Sequence, residues 1–81
     1  SDLALGQCHR EVPVAMVVEG VLAEGVADLA FASADGWVVV DFKTDRPDAE
    51  RWARYARQVR FYGDAIARAT GRPARAILMQ V

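Results

Sequence analysis

The stretch WVVVDFKTD, residues 37–45, constrains this chain more than any other. Its valines suit a buried strand, yet the run ends with Asp41, Lys43 and Asp45 on alternate residues. Buried charges are costly, so such a strand must solvate them, pair them or use them. Residues two apart in a strand share a face, so Asp41, Lys43 and Asp45 are expected to project one way and Val38, Val40 and Phe42 the other. The pattern predicts a core on the valine side. It puts Asp41 and Lys43 together on the surface that Val40 and Phe42 do not fill.

Around this strand the chain reads β-β-β-α-β. EVPVAMVVE, residues 11–19, is rich in β-formers, and Pro13 places its early part at an edge or bulge. A second strand runs from Gly20 to Ala32, and SADG supplies the turn into the third. In residues 45–71, Asp45 or Asp48 can cap a helix, Pro47 suits its start and Gly71 its stop. Trp52, Tyr55, Ala56, Val59, Tyr62, Ile66 and Ala69 recur at steps of three and four, which predicts an amphipathic helix with Trp52 and Tyr55 in the core. Gly63 interrupts it and marks a close packing contact. RPARAILMQV reads as a final short strand. A right-handed crossover then makes the last two strands parallel and lays the helix over one face of the sheet. The other face is left bare by this chain alone, which predicts cover from elsewhere, a homodimer included.

At 81 residues the chain makes a single domain over residues 1–81, with a small core. Its 53% hydrophobic and 26% charged residues are globular rather than disordered composition. The lone cysteine, Cys8, excludes an internal disulfide and a multi-cysteine metal cage. With no apolar run of membrane-spanning length and no signal-peptide pattern, the expectation is a soluble, cytoplasmic chain with no membrane partner. The net charge of −1 conceals an asymmetry: residues 1–41 hold seven acids and one base, Arg10, whereas residues 42–81 hold four acids and nine bases. That division suits metal plus phosphate binding, and equally suits two halves that attract each other.

Asp28 lies in EGVADLAF, across a hairpin from Asp41, so the two carboxylates are candidate cross-strand neighbours. Hard divalent cations such as Mg²⁺ take oxygen ligands, one or two carboxylates with water and substrate phosphate completing the shell. A lysine two residues beyond Asp41 can orient or deprotonate a water, or offset charge building on a phosphate. The plainer readings are an Asp28 paired with an arginine, and an Asp41–Lys43 pair at a solvated strand end.

Gly25-Val26-Ala27-Asp28-Leu29, then Asp41-Phe42-Lys43-Thr44, then Gln58 to Tyr62 resemble the G-x-x-D, D-x-K-T and Q-x-x-x-Y motifs of RecB-like nucleases, within the PD-(D/E)XK superfamily. The resemblance covers roughly residues 11–81. Its last part, GRPARAILMQV, is similar to the final core strand of nuclease domains at the carboxyl ends of UvrD-type helicases and exodeoxyribonuclease V-like helicase-nucleases. It implies an α/β restriction-endonuclease-like core with a mixed sheet. It also implies a Mg²⁺- or Mn²⁺-dependent, exonuclease-like deoxyribonuclease acting on DNA in recombination and double-strand break repair. A helicase domain in the same parent chain or complex is the implied partner. By motif match, Asp28, Asp41 and Lys43 are the catalytic residues, with Asp28, Asp41 and the backbone carbonyl of Phe42 as metal ligands. Gln58 and Tyr62 support the site or contact DNA.

The family's first core helix precedes the first strand and can contribute a histidine. Only ten residues precede Glu11, so that helix is expected to be missing, and His9 does not match it. The chain then reads as the carboxyl-terminal portion of a nuclease domain, weak or inactive alone. The alternative is a noncatalytic nuclease-fold module that holds DNA or a helicase partner. Asp45 reads as a helix cap and Glu11 as a strand start rather than as site residues. Arg51, Arg54, Arg57 and Arg60 recur every three residues, so they spread over about half the helix as a mostly solvated face. Cys8 and His9 read as surface or terminal residues.

Overall fold

The computed structural model describes residues 8–81, and they form four strands and one helix in the expected order. The expectation that the first core helix is missing falls on the residues ahead of the first strand, of which 1–7 lie outside the described residues. β1 (Cys8–Val18) and β2 (Val21–Ser33) make an antiparallel hairpin. Its turn residues, Glu19 (φ 50°) and Gly20 (φ 79°), both adopt the left-handed conformation that matches the twist of the flanking strands. β3 (Gly36–Lys43) lies antiparallel to β2, and β4 (Ala74–Gln80) runs parallel to β3. The sheet order is therefore β1-β2-β3-β4, with β1 at one edge, where Pro13 does least harm to the ladder.

The crossover from β3 to β4 is α1 (Ala49–Thr70). Asp48 caps its start by accepting the Arg51 N–H at 2.8 Å. Gly71, at φ 70°, ends it and donates its N–H to the Ala67 carbonyl at 2.9 Å. Asp45 is not the cap. Its carboxylate accepts the Tyr55 hydroxyl at 2.8 Å and lies 3.4 Å from Arg51 Nη1, so it ties the β3–α1 connection to the first turns of the helix. Gln80 Nε2 donates to the Asp45 carbonyl at 2.7 Å and fixes the same connection to β4. Among the described residues no helix is long and apolar enough to cross a membrane.

The core lies between α1 and the sheet, built from Val14, Ala27, Ala30, Val39, Val59, Tyr62, Ala65 and Ile66. Val39 is fully buried at its centre, and Asp41, two residues on, belongs to the same side of β3. The expected division is thereby corrected: the core under the helix shares its face with Asp41, while Val38, Val40 and Phe42 point away from α1. The helix can lie close on that face because Ala27, Ala30, Ala65 and Ala76 are small. Gly63 backs onto Ala76, where a Cβ would sit at ordinary contact distance of 3.4 Å. On the far face Val38 and Val40 are buried, whereas Phe42, Ile77 and Met79 remain about 40% exposed. At its amino-terminal end α1 runs past this core. Tyr55 is half-buried and Trp52 is 38% exposed, so Trp52 is not the core residue its spacing suggests.

One contact between helix and sheet leaves no slack. The Tyr62 ring lies against Gly25 so closely that a Cβ there would come within 2.6 Å of Tyr62 Cε1. Tyr62 is buried and cannot swing clear without opening the core. Gly25→Ala is therefore predicted to lower the unfolding free energy by about 1–3 kcal/mol, the usual cost of overpacking. Urea denaturation at unchanged stability would contradict this contact.

The Asp45 lock carries a pH signature. The Tyr55 hydrogen bond, with Arg51, holds the Asp45 carboxyl below its ordinary value of 3.8. The folded state then binds that proton less tightly than the unfolded state, so the lock stabilises at pH above 3.8 and is lost as pH falls through the lower folded value. Melting curves of wild type and Asp45→Asn are predicted to differ near neutral pH and to converge in acid. A gap that widens in acid would contradict the assignment.

Candidate active site

The antiparallel ladder between β2 and β3 ends at the pair Leu29–Val40, and the next residues, Asp28 and Asp41, face each other without joining it. The alternation of β2 changes at this point. Ala27 and Ala30 both belong to the core under α1, although strict alternation would send residues three apart to opposite faces. On β1, Arg10 pairs with Leu29 and Val12 with Ala27, which sets Glu11 opposite Asp28. Glu11 has φ 48°, a left-handed backbone rare for a residue with a side chain. The two strands therefore bend together at Glu11 and Asp28.

The bend aims Asp28 across the gap at β3, where its Oδ2 accepts the Phe42 N–H at 2.7 Å. A carboxylate thus takes the place of a ladder carbonyl. In an antiparallel pair the N–H and C=O of one residue point to the same neighbour, so the Phe42 carbonyl is directed to this side too. The Lys43 carbonyl faces the opposite way and accepts Val81 N–H at 2.9 Å. Arg10, Glu11, Asp28, Leu29 and Phe42 line a depression of about 410 Å³ beside the gap.

Asp41 is 3% exposed, the buried charged residue of the core, and not the surface residue its alternation predicts. Burial pushes its carboxyl above the ordinary value; Lys43 opposes that shift and the neighbouring Asp28 carboxyl adds to it. Lys43 Nζ lies 3.0 Å from Asp41 Oδ2, yet that oxygen has no well-aligned hydrogen bond among the described residues. The contact is an ion pair by proximity rather than by orientation. For Lys43 the balance falls the other way. Burial works against its charge, but Asp41, then Tyr62 and Tyr55, outweigh it and hold the ammonium above its ordinary value. The pair is thus asymmetric: the lysine keeps its proton firmly, while the aspartate carries the cost of sharing a half-dry site with a second carboxyl.

The helix completes the surroundings of Lys43. Gln58 Oε1 accepts from its Nζ at 3.1 Å, and the Tyr55 ring lies 4.4 Å from it, within cation–π range. Tyr62, one turn beyond Gln58, rests on Gly25, three residues before Asp28. The three sequence motifs therefore touch in space: Gly25 with Tyr62, Asp28 with Phe42, and Lys43 with Gln58. Of the expected site residues, Asp28, Asp41, Phe42, Lys43, Gln58 and Tyr62 all lie in this one region. Asp45 belongs to the helix start, and His9 sits beside Trp37 with ring centroids 6.0 Å apart. Helical spacing predicts Tyr55 in the core, yet its i+3 relation to Gln58 already places it on the site's face of the helix. Arg10, beside Asp28, carries the only hint its position offers in sequence: it is the one base in the acidic half.

The donors present suit a hard cation. Two carboxylates converge, one of them with a buried oxygen that lacks an aligned partner, and a backbone carbonyl is turned the same way. Among the described residues no group of three His, Cys, Asp or Glu side chains converges. The side chains thus offer two carboxylates, which suits an ion that keeps water and phosphate in its shell rather than one caged by protein.

Comparison with known proteins gives the family of the chain. The family model of the PD-(D/E)XK nuclease superfamily matches residues 3–81. An ATP-dependent helicase/nuclease subunit of Heliobacterium modesticaldum is 34% identical over 82 residues, covering 74% of this chain and 6% of that protein. Its counterpart in Carboxydothermus hydrogenoformans, of the same description, is 38% identical over 61 residues, covering 70% and 5%. That of Geobacillus kaustophilus is 32% identical over 88 residues, covering 78% and 7%. The chain thus spans well under a tenth of the length of these relatives. On the match across almost its whole length, and on relatives at this level of identity, the chain belongs to the PD-(D/E)XK nuclease superfamily.

Proposed function

We propose that this chain is the carboxyl-terminal portion of a RecB-like nuclease domain, and that its parent protein hydrolyses phosphodiester bonds in DNA. The observation that supports this most is the convergence of Asp28, Asp41 and Lys43 at the unpaired end of the β2–β3 ladder. Relatives named as helicase/nuclease subunits support a helicase in the same parent chain or complex, and with it a role in recombination and break repair. Nucleases of this superfamily generally use divalent metals, and Mg²⁺ or Mn²⁺ fits the oxygen donors here.

In this reading Asp28, Asp41 and the Phe42 carbonyl hold the cation. When bound, it supplies Lewis acidity and charge neutralisation at the phosphate. Lys43 is the group that acts on the reacting phosphate. Its ammonium is held protonated by Asp41, so it serves as a positioned charge and hydrogen-bond donor rather than as a general base. Gln58 and Tyr55 hold it from the helix side, beside Asp41. Tyr62 braces Gly25 and so holds the bend that carries Asp28.

Two outcomes follow for the full-length protein. Asp41→Asn and Lys43→Ala are each predicted to cut DNA cleavage at least about 100-fold, within the range for loss of a preorganised electrostatic group. Full activity in either variant would contradict the roles given. The second outcome concerns stability without metal. Because burial and Asp28 make the Asp41 charge unfavourable, Asp41→Asn is predicted to melt no lower than wild type. Added Mg²⁺ is predicted to stabilise the wild type by about 2.7 kcal/mol at 100 times Kd, read as a higher melting temperature, and to leave Asp41→Asn unmoved. An equal Mg²⁺ response in both proteins would place the cation elsewhere.

A further inference from the structure

Beyond Lys43, where β3 and β4 end and α1 begins, lies a larger cavity of about 700 Å³. Its walls include Thr44, Arg46, Pro47, Trp52 and Gln80. Crevices at the carboxyl ends of parallel strands are a recurrent place for ligands in α/β folds. Two features make this one specific. Trp52 spacing predicts a core residue, yet 38% of it is exposed and it forms a wall of the cavity. Arg46 is on the same cavity and has no ion pair or side-chain hydrogen bond among the described residues. Its neighbour Arg51, by contrast, is taken up by Asp45. Asp48 occupies the helix start itself, so the amino-terminal N–H groups of α1 are not what an anion would meet here.

Trp52, Tyr55, Gln58 and Tyr62 follow one another along one side of α1 at steps of three and four. Gln58 touches Lys43, and Trp52 lies six positions before it, about 9 Å along the helix axis. Thr44, the residue after Lys43, lines the cavity, so the cavity adjoins the Lys43 end of the site. An indole wall beside a free guanidinium is the combination that binds an unpaired nucleotide without regard to sequence, the ring stacking on the base and the cation meeting the backbone.

We infer that Trp52 is a nucleobase-stacking platform and Arg46 its phosphate contact, forming a subsite for one unpaired nucleotide of the strand being cut. The inference rests on the nuclease reading and adds to it a residue that positions substrate. It requires the strand to be single at this point, because within a duplex both faces of a base are covered by its neighbours in the stack.

The test uses the full-length protein, without ATP, cleaving a short fluorescent oligothymidylate. Trp52→Ala is predicted to raise KM at least about fivefold, the lower end of the effect of losing one stacked base, while Trp52→Phe stays within about twofold of wild type. Arg46→Ala is predicted to flatten the salt dependence of KM by about 0.7 in the logarithmic slope, the value of one phosphate contact on single-stranded DNA. An abasic residue walked along the oligonucleotide should reproduce the Trp52→Ala loss at one position, and at that position should cost the Trp52→Ala variant nothing further. An unchanged KM for Trp52→Ala, or abasic and Trp52→Ala losses that multiply at every position, overturns the subsite. The Trp52→Phe result separates stacking from a folding defect. If wild type does not cut in Mg²⁺ whether or not ATP is added, the nuclease reading fails instead. The same variants and abasic oligonucleotides then test the subsite by fluorescence anisotropy, with the same ordering of affinities expected and equal affinities overturning it.

Discussion

Asp41 is a carboxylate kept on the core side of a sheet, under a helix, where water cannot solvate it freely. Such a group is tolerated only if charge is brought to it. Lys43 brings one charge, from two residues along the same strand, and the rest of the region is arranged so that this lysine cannot leave. Gln58 accepts from its ammonium, Tyr55 lies against it, and Asp45 holds Tyr55 by the hydroxyl. Even so, Asp41 keeps an oxygen without an aligned partner and a second carboxyl, from Asp28, beside it. The residual electrostatic cost is what a divalent cation would relieve. The site is thus a strained element of the free protein, in the sense that its stability and its proposed activity pull in opposite directions.

The backbone makes the second half of this arrangement possible. A regular β2–β3 ladder would bond Phe42 to a carbonyl of β2 and leave Asp28 no reason to cross the gap. Ending the ladder at Leu29–Val40, with the bend marked by Glu11, frees the Phe42 N–H for the Asp28 carboxylate and turns the Phe42 carbonyl toward the same opening. The bend is braced from the helix, where Tyr62 fills the space that only a glycine at position 25 leaves. The spacing of the motif residues in sequence therefore has a mechanical meaning: each motif supplies one contact that fixes another.

Much of this is legible in the chain. The order β-β-β-α-β follows from strand and helix periods, and the glycine at position 71 stops the helix where expected. The residues of the candidate site can be picked out because motifs carry spacing. What spacing does not carry is side. Period-two reasoning assigns the core to Val38, Val40 and Phe42, but a central strand is buried on both faces, and the helix covers the face of Val39 and Asp41. The bend at Asp28 is equally invisible, since alternation reads through it as though the strand were regular. Trp52 fits the helical stripe as well as Val59 does, yet α1 extends past the sheet there and exposes it. Asp45 and Asp48 are both good caps by residue type, and only the backbone decides that Asp48 is the one.

The most direct measurement is the response of individual resonances to Mn²⁺ in an isotopically labelled sample of the protein. Substoichiometric Mn²⁺ is predicted to broaden Asp28, Asp41 and Phe42 before any other residues, and Asp41→Asn to remove the selectivity. Broadening spread over the exposed acids, or centred on Asp45 and Asp48 at the helix start, would contradict a cation site at the end of the β2–β3 ladder and leave the chain as a nuclease fold that only binds.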